Sequence, residues 1–211
     1  MSPAERGVRV RLVAAARRLA ALGLNRGKSG NLSVRVEGGF VITPSGKSYD
    51  ALAAGDLVAM EGDGPRGGHK PSSEWRLHHD VYAYRAEAGA IVHTHSSFAT
   101  TLACLRRPIP AVHYEIAFAG GGDIRCAPYA TFGTQELSDN ALAALEGRCA
   151  CLLANHGVVA FAATIEQAVV LAEKVEELAR TYWQALQVGE PAILDAAEMT
   201  RVIEKFKTYG R

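Results

Sequence analysis

The sequence predicts a three-layer α/β fold in which a mixed or antiparallel central sheet is packed between helices. Amphipathic helical segments and short apolar strands are mixed along the whole chain, and tight turns between neighbouring strands indicate hairpins. No internal repeat, linker or low-complexity segment interrupts the 211 residues, so we predict a single domain over residues 1–211.

The first part of the chain is predicted to contain two helices and four strands. Apolar residues at helical spacing indicate a helix over 8–23, which stops at a glycine. Glu37-Gly38-Gly39 is a hairpin signal between two short strands. The predicted strands are 31–36, 40–43, 57–60 and 90–95, a loop is predicted over 61–71, and the second helix runs from Ser73 to Glu87.

The second part of the chain is predicted to contain four helices and three strands. Thr134 is placed to cap one helix, and Thr164 with Gln167 fits a capping box at the start of another. The predicted helices are Phe98 to Leu105, Gln135 to Leu145, 165 to about 187, and a last one that starts at Asp195 and ends before 207; the strands are 124–127, 150–154 and 158–161.

The composition argues against nucleic-acid and membrane partners. The formal net charge is +1, no apolar run reaches the length of a membrane span, and no long apolar segment follows the N-terminal charges as in a signal peptide. The four cysteines, Cys104, Cys126, Cys149 and Cys151, lack CxxC spacing, which is typical of buried thiols in a reducing compartment. We therefore expect a cytoplasmic protein that binds neither nucleic acid nor membranes.

Two Gly-Lys-Ser triplets, Gly27-Lys28-Ser29 and Gly46-Lys47-Ser48, resemble the end of a P-loop. A P-loop needs a further glycine five residues before the glycine of the triplet, between a strand and a helix. Those positions hold Leu22 and Val41, so neither triplet is predicted to bind a nucleotide. The surrounding loops are rich in Gly, Ser, Thr and Asn, and such backbone offers N–H groups to an anion of another kind.

Three histidines at the ends of apolar strands are candidate metal ligands. His93 and His95 are two residues apart at the end of the strand 90–95, and this spacing directs both imidazoles to one face of a sheet. His156 follows another apolar strand later in the chain. Three neutral imidazoles with an open fourth position form a common catalytic zinc site. Hydrogen-bonded structural histidines are the alternative that the spacing alone leaves open.

A second group of candidates lies where the helix after 70-KPSSEW-75 begins. A carboxylate such as Glu74 is stabilised there by the helix dipole, and Ser72 and Ser73 are typical capping residues. In the functional alternative, the two hydroxyls and the free N–H groups bind phosphate while Glu74 acts as a base. His78 and His79, further along this helix, are expected to lie on its surface or to pack locally.

Eight motifs, in this order, connect the candidates. They are 22-LGLNRGKSGNLSVR-35, 42-ITPSGKSYD-50, 70-KPSSEWRLHHDVY-82, 92-VHTHS-96, 108-PIPAVHYEIAFAGG-121, 126-CAPYATFGT-134, 155-NHG-157 and 203-IEKFKTYG-210. Together they resemble the class II aldolase/adducin family over nearly the whole chain, and the likeness is closest to its L-fuculose-1-phosphate aldolases. The resemblance implies the same three-layer α/β fold.

The resemblance also implies a role for each matching residue. His93, His95 and His156 match the zinc ligands of the family. Glu74 matches a carboxylate that is both a fourth ligand and the catalytic base, and Tyr114 matches a proton-transferring tyrosine supplied by the neighbouring subunit of a homotetramer. The phosphate-binding and substrate-binding positions of the family match Gly30, Asn31, Ser45, Gly46, Ser72, Ser73 and, at the aldehyde end, Tyr209.

The implied activity is that of a lyase of carbohydrate metabolism. Class II aldolases of this kind use one Zn²⁺ per chain to cleave a ketose 1-phosphate, such as L-fuculose 1-phosphate, to dihydroxyacetone phosphate and an aldehyde. The resemblance leaves open 5-deoxyribulose 1-phosphate or 5-methylthioribulose 1-phosphate as the substrate. It also leaves open a pentulose-phosphate 4-epimerase, a methylthioribulose-phosphate dehydratase, and a non-enzymatic, adducin-like interaction domain, which should lack the histidine triad.

Overall fold

The computed structural model describes residues 3–62, 64–67 and 69–206, and within them eight strands form one sheet. The strands are β1 (Asn31–Val36), β2 (Gly39–Ile42), β3 (Val58–Glu61), β4 (Gly64–Arg66), β5 (Ala90–Thr94), β6 (Cys126–Ala127), β7 (Ala150–Leu153) and β8 (Gly157–Ala162). Their order in the sheet is β4-β3-β2-β1-β5-β8-β7-β6. The pair β6–β7 is parallel and the other neighbours are antiparallel, so the sheet is mixed as predicted.

Helices cover both faces of this sheet. They are α1 (Pro3–Ala21), α2 (Trp75–Tyr84), α3 (Ser97–Cys104), α4 (Gln135–Ala144), α5 (Ile165–Val188) and α6 (Ala196–Phe206), with 3₁₀ turns at Ala54–Asp56 and Tyr114–Ala119. Helices α1, α3, α5 and α6 pack on one face, and α2 and α4 pack on the other. Among the described residues, no helix combines the length and the apolar character needed to cross a membrane.

Strand β5 lies between β1 and β8 in the sheet and is buried on both faces by the helices. Val92 packs into the cluster under α5, whereas Ile91 points to the opposite cluster under α2 and α4, and both side chains are fully buried. Burying a side chain of this size contributes roughly 1.5–3 kcal/mol relative to leaving it exposed. The predicted three-layer arrangement is therefore confirmed, and β5 is a fixed support for the residues that follow it.

The predicted helix caps are also observed. The hydroxyl of Thr134 accepts a hydrogen bond from the backbone N–H of Leu137 at 3.3 Å, and that of Thr164 accepts one from Gln167 at 3.3 Å. A carboxylate oxygen of Asp195 accepts from the backbone N–H three residues later, at the start of α6. Each cap satisfies a backbone donor that the first turn of a helix leaves free.

Several elements differ from the sequence-based prediction. Helix α1 covers Pro3–Ala21 rather than 8–23, and β6 covers only Cys126–Ala127 of the predicted strand 124–127. Helix α2 begins at Trp75 rather than Ser73 and ends at Tyr84 rather than Glu87. It ends because Arg85 leaves the helical conformation, and its guanidinium donates hydrogen bonds to the backbone carbonyls that follow α4. The loop predicted over 61–71 contains the short strand β4, which extends the β2–β3 hairpin by one more antiparallel pairing.

The end of β5 brings distant parts of the chain together. Asn31 at the start of β1 pairs with His93 on one side, and β8 pairs with β5 on the other. The turn from β7 to β8 carries His156, and Gly157 follows it. A Cβ at position 157 would lie 2.2 Å from the carbonyl oxygen of Thr94, so only glycine lets β8 begin this close to the end of β5.

Candidate active site

A polar pocket of about 340 Å³ opens at the end of β5. It receives side chains from the loop before β1, the loop after β2, the start of α2 and the turn before β8. Its lining residues are Lys28, Ser29, Gly30, Asn31, Pro44, Ser45, Gly46, Ser72, Ser73, Glu74, His95, Tyr129, Ala130, Phe132, Asn155 and His156. Most of the site residues predicted from the sequence are therefore gathered in one place, which we call the histidine pocket.

The three candidate ligands converge at the base of this pocket. The centroids of the His93 and His95 rings are 4.8 Å apart, those of His93 and His156 are 4.7 Å apart, and those of His95 and His156 are 4.9 Å apart. One ring nitrogen of each histidine lies within 4.8 Å of the other two. This nearly equilateral arrangement presents three nitrogen atoms to a common centre.

The tautomer of His93 is fixed by the neighbouring strand. Its Nδ1 lies 2.8 Å from the backbone carbonyl of Val158, and because a carbonyl only accepts, Nδ1 carries the proton. In the neutral ring, the Nε2 lone pair is then directed toward the other two rings. A backbone carbonyl behind the ring is the common way in which proteins orient a metal-binding histidine.

Glu74 completes the cluster from the start of α2. It is the N-cap residue of this helix, but its carboxylate makes no cap hydrogen bond, so the structure does not support capping as its role. Its Oε2 lies 3.2 Å from Nε2 of His93, and its Oε1 lies 3.3 Å from Nε2 of His156. The amide of Asn31 donates a hydrogen bond to Oε2 at 2.9 Å.

The donor set fits a divalent metal ion. Oε1 of Glu74 is buried, and it accepts no hydrogen bond within the described part of the chain. A buried carboxylate oxygen without a donor is costly unless a cation compensates it. Three imidazole nitrogens and one carboxylate oxygen form a ligand set that suits four-coordinate Zn²⁺.

The protonation states are those of a metal-binding site. Burial and the neighbouring rings lower the pKa of His95 to about 4 and that of His156 to about 4. For His93, the carboxylate of Glu74 outweighs burial and raises the pKa of the ring. Burial acts to raise the pKa of the Glu74 carboxyl, but His93, His156 and the Asn31 amide together hold this pKa well below its usual range. An ionised carboxylate and two neutral imidazoles bind a cation without first losing protons.

The loop before β1 is tied to the histidines through a buried asparagine. The Asn25 amide donates to the carbonyl of His93 at 3.2 Å, and its carbonyl accepts from the backbone N–H of His95 at 3.1 Å. Gly30 crosses this side chain with φ +74°, and a Cβ there would lie 2.3 Å from the Asn25 amide nitrogen. Gly30 is therefore required for the loop to pass over the end of β5.

The loop after β2 and the segment that leads into α2 present hydroxyl groups beside Glu74. The backbone N–H of Ser45 donates to the carbonyl of Lys70 at 3.1 Å, which joins the two loops. The exposed hydroxyls of Ser45 and Ser73 are then left for a ligand. Ser72 is buried, and its hydroxyl accepts a hydrogen bond from the backbone N–H of Glu74 at 3.3 Å. Small polar groups surrounding a pocket in this way suit a phosphate.

Several residues at or behind the site are not predicted from the sequence, among them Tyr129, Phe132, Lys28 and His78. Lys28, the lysine of the first Gly-Lys-Ser triplet, lines the pocket at its mouth. His78 was expected on the helix surface or in local packing, but this expectation is wrong because the ring is fully buried against β1. His79 is half-buried and contacts the adjacent Asp80, as local packing implies.

Tyr114 lies apart from the histidine pocket. It lines a different cavity of about 820 Å³ that shares no lining residue with the first. Tyr114 is 49% exposed, and its ring stacks on that of Phe206 with centroids 6.2 Å apart. Phe118 is 43% exposed and also packs on the Phe206 ring, with centroids 4.6 Å apart. We call Tyr114, Phe118 and Phe206 the aromatic surface. The predicted site residue Tyr209 lies outside the described residues.

Comparisons with known proteins agree with this geometry. A family model described as "Class II Aldolase and Adducin N-terminal domain" matches residues 10–183. A 5-methylthioribulose-1-phosphate/5-deoxyribulose-1-phosphate aldolase of Rhodospirillum rubrum is 59% identical over 200 residues, which cover 94% of this chain and 90% of the relative. An L-fuculose phosphate aldolase of Escherichia coli K12 is 48% identical over 191 residues, which cover 90% of this chain and 89% of the relative.

A solved structure shows the same fold in three dimensions. The structure of an L-fuculose 1-phosphate aldolase matches this chain with a TM-score of 0.93 at 43% sequence identity, and the match covers 98% of both chains. The agreement therefore extends over the sheet, the helices on both of its faces and the loops around the histidine pocket.

Proposed function

Since the chain belongs to the class II aldolase and adducin family and is an aldolase, we propose that it reversibly cleaves a ketose 1-phosphate to dihydroxyacetone phosphate and an aldehyde. Glu74 carries the proposal. Its buried Oε1, which accepts no hydrogen bond within the described residues, lies 3.3 Å from Nε2 of His156 in the wall of a pocket that serine and glycine loops also line. A base, a metal-binding triad and an anion-binding set of hydroxyls thus meet in one pocket.

Zinc is the metal that we assign to this pocket. His93, His95 and His156 would hold it, and Glu74 would supply a fourth ligand. The three-nitrogen, one-oxygen donor set and the orienting carbonyl behind His93 support this assignment. When bound, the ion supplies Lewis-acid stabilisation of the negative charge that develops on the substrate, so no Schiff-base lysine is needed.

Different residues of the chain are assigned to the phosphate, to C3 and to the C4 hydroxyl of the substrate. The phosphate is assigned to Gly30, Asn31, Ser45, Gly46, Ser72 and Ser73, and holding this end orients the rest of the molecule before reaction. When the C3–C4 bond breaks, its electron pair remains on the C2–C3 part of the substrate. In the direction of synthesis, the ionised carboxylate of Glu74 accepts a proton from C3 and Tyr114 donates one to the C4 oxygen, and cleavage reverses both transfers. Cleavage overall therefore moves one proton from oxygen to carbon.

Tyr114 is proposed to act in the pocket of a neighbouring subunit. Its exposure and its separate cavity support this assignment, because no contact among the described residues directs it to the histidines. The assembly that we propose is a homotetramer with shared active sites, and Tyr209 is assigned to the aldehyde end of the same shared site. The four cysteines are unpaired thiols, which supports a cytoplasmic location.

The aldehyde part of the substrate is proposed to be small and apolar at its end. L-fuculose 1-phosphate, 5-deoxyribulose 1-phosphate and 5-methylthioribulose 1-phosphate all lack a hydroxyl on their last carbon. The rings of Tyr129 and Phe132, 52% and 64% exposed, line the pocket and suit such a group. L-fuculose 1-phosphate is our main candidate, and the 59% identity to the Rhodospirillum rubrum relative favours the two pentulose phosphates as the alternative.

A product assay tests the proposal. The zinc-loaded protein is incubated with each of the three ketose 1-phosphates, and dihydroxyacetone phosphate is measured with a reducing enzyme that consumes NADH. We expect release from at least one substrate, and the largest kcat/KM identifies the aldehyde. Conversion of a pentulose phosphate without release of dihydroxyacetone phosphate would instead indicate an epimerase or a dehydratase. A protein with stoichiometric zinc that releases none from any of the three contradicts the proposal.

A further inference from the structure

A buried row of polar side chains leads from Glu74 to Tyr82 on α2 through Asn31 and Ser33 of β1 and His78 of α2. His78 stands four residues after Glu74 on α2, with its Nε2 2.5 Å from Oδ1 of Asn31 and its Nδ1 2.6 Å from the hydroxyl of Ser33. The hydroxyl of Tyr82 lies 2.8 Å from that of Ser33. We propose that His78 is a positioning residue, a neutral imidazole with its proton on Nε2 that holds Asn31 so that its amide donates to Glu74.

The direction of each hydrogen bond follows from the carboxylate end. A carboxylate only accepts, so the Asn31 amide nitrogen donates to Oε2 of Glu74, and the Asn31 carbonyl is turned toward His78. That carbonyl also only accepts, so Nε2 of His78 carries the proton. Nδ1 is then an acceptor, and the hydroxyl of Ser33 donates to it. Since its single proton is used there, Ser33 accepts from Tyr82.

These groups are buried in the structure. His78 and Ser33 are 0% exposed and Asn31 is 2% exposed, so water does not replace a lost contact. Burial lowers the pKa of His78 to about 3, and the ring is neutral at physiological pH. Each hydrogen bond of the row is donated toward Glu74, whose negatively charged carboxylate accepts the last one. At the other end, the positively charged Arg35 guanidinium lies over the Tyr82 ring. The charges at both ends therefore favour this direction of donation.

The row gives the two oxygens of Glu74 different roles. Oε2 is held by Asn31, whereas Oε1 has no hydrogen-bond donor in the described part of the chain. Under the proposed function, on which this inference rests, Oε1 is therefore the oxygen that exchanges a proton with C3, and Oε2 is the fixed one. His78 does not touch the substrate; it acts through Asn31.

Two substitutions at the same position separate positioning from packing. The amide nitrogen of a glutamine reaches the place of Nε2, so His78→Gln keeps a donor for Asn31. The shorter His78→Asn reaches only the place of Nδ1 and leaves the Asn31 carbonyl without its partner. The measured rate is deuterium exchange at C3 of dihydroxyacetone phosphate at saturating concentration, together with KM, zinc content and thermal midpoint.

We expect His78→Asn to lower the exchange rate by roughly 10- to 100-fold, the range typical of residues that orient a metal-site ligand, while KM changes little. His78→Gln should recover most of the rate. Equal rates in His78→Asn and the wild type would overturn the inference. So would a loss in both variants that matches a loss of folded protein or zinc, because it would show a purely structural role.

A second measurement does not depend on activity or on these variants folding. In the ¹⁵N spectrum of the metal-free wild type, the coupling pattern of the His78 ring reports its tautomer. We expect the Nε2–H form at neutral pH, and an Nδ1–H form would overturn the inference. Glu74→Gln separates the inference from the proposed function. If this variant still exchanges C3, Glu74 is not the base and the role that the proposed function gives it is wrong; if exchange stops but both His78 variants match wild type, only the inference is wrong.

Discussion

The histidine pocket has buried side chains at its base that are held within one chain, whereas the aromatic surface carries exposed rings. His93 is 0% exposed and Glu74 is 6% exposed, and both are held by hydrogen bonds from neighbouring elements. Tyr114 and Phe118 are 49% and 43% exposed and are supported mainly by ring contacts with Phe206. Exposed aromatic groups of this kind are typical of surfaces that bind another protein. This contrast is consistent with the proposed function, in which the dihydroxyacetone phosphate end is handled within one chain and Tyr114 acts at the aldehyde end from a second chain.

Removing the metal should have the largest effect, because C3 exchange and cleavage both depend on the histidine pocket. We expect chelation to abolish both C3 exchange and cleavage, and added Zn²⁺ to restore them. The His156→Ala variant should lose stoichiometric zinc by elemental analysis. His79→Ala is the matched control, since this histidine contacts Asp80 and lies outside the histidine pocket. Full activity in a sample shown to be free of metal contradicts the mechanism.

Glu74→Gln should retain the fold and lose both reactions. An amide fills the same space but does not accept the C3 proton, so we expect a loss of roughly 10³-fold in C3 exchange and in cleavage. Exchange is followed by entry of solvent deuterium into dihydroxyacetone phosphate. Deuterium entering at the wild-type rate would remove Glu74 from this role, and a lowered thermal midpoint would assign the loss to unfolding.

The sequence predicts the candidate metal ligands better than the buried residues behind them, such as His78. His93 and His95 are recognised by their spacing on an apolar strand, and the structure brings them together with His156. The burial of His78 could have been predicted from the helical spacing of its neighbours. Positions 74, 78 and 81 follow one face of a helix, and Val81 is fully buried, so the ring between them faces the sheet. Its partners on β1, however, are more than forty residues away, and no local pattern predicts them.

The aromatic surface was not predictable as structure. The 3₁₀ turn at Tyr114–Ala119 follows a proline-rich stretch, and its residues have no helical or alternating period of the kind that marks longer elements. Only the family resemblance singled out Tyr114. The role that we propose for it involves a second chain, and the packing between chains is not encoded in the local pattern of one.

Tyr114→Phe should separate the two halves of the reaction. The change removes one hydroxyl from an exposed ring, so the histidine pocket and the ring contacts should survive. We expect cleavage to fall by roughly 100-fold or more, the usual effect of losing a general acid–base, while C3 exchange of dihydroxyacetone phosphate alone continues. Equal loss of both activities would place Tyr114 at the wrong end of the substrate.

Mixed oligomers test whether the site is shared. Glu74→Gln chains keep Tyr114 and Tyr114→Phe chains keep Glu74, so reassembly of the two should rebuild some sites with both wild-type residues. We expect cleavage activity to reappear in the mixture and not in either variant alone. If mixed oligomers form, as shown by mass spectrometry, and no activity returns, the two residues do not meet across a subunit boundary.

Lys28 should have the smallest effect, because its charge is exposed at the mouth of the histidine pocket. Lys47, in the second Gly-Lys-Ser triplet, is the matched control: it pairs with Asp56 at 2.5 Å and does not line the pocket. Exposed ion pairs contribute about 0.2–1 kcal/mol, so Lys28→Met should raise the KM for dihydroxyacetone phosphate by up to roughly 5-fold with kcat unchanged. The difference should vanish as the Debye length falls from ~30 Å at 0.01 M salt to ~3 Å at 1 M. Lys47→Met should not change KM at any salt concentration. An equal effect of both substitutions would show that the lysines act through the general charge of the chain, and that the first triplet gives no contact to the phosphate beyond its backbone.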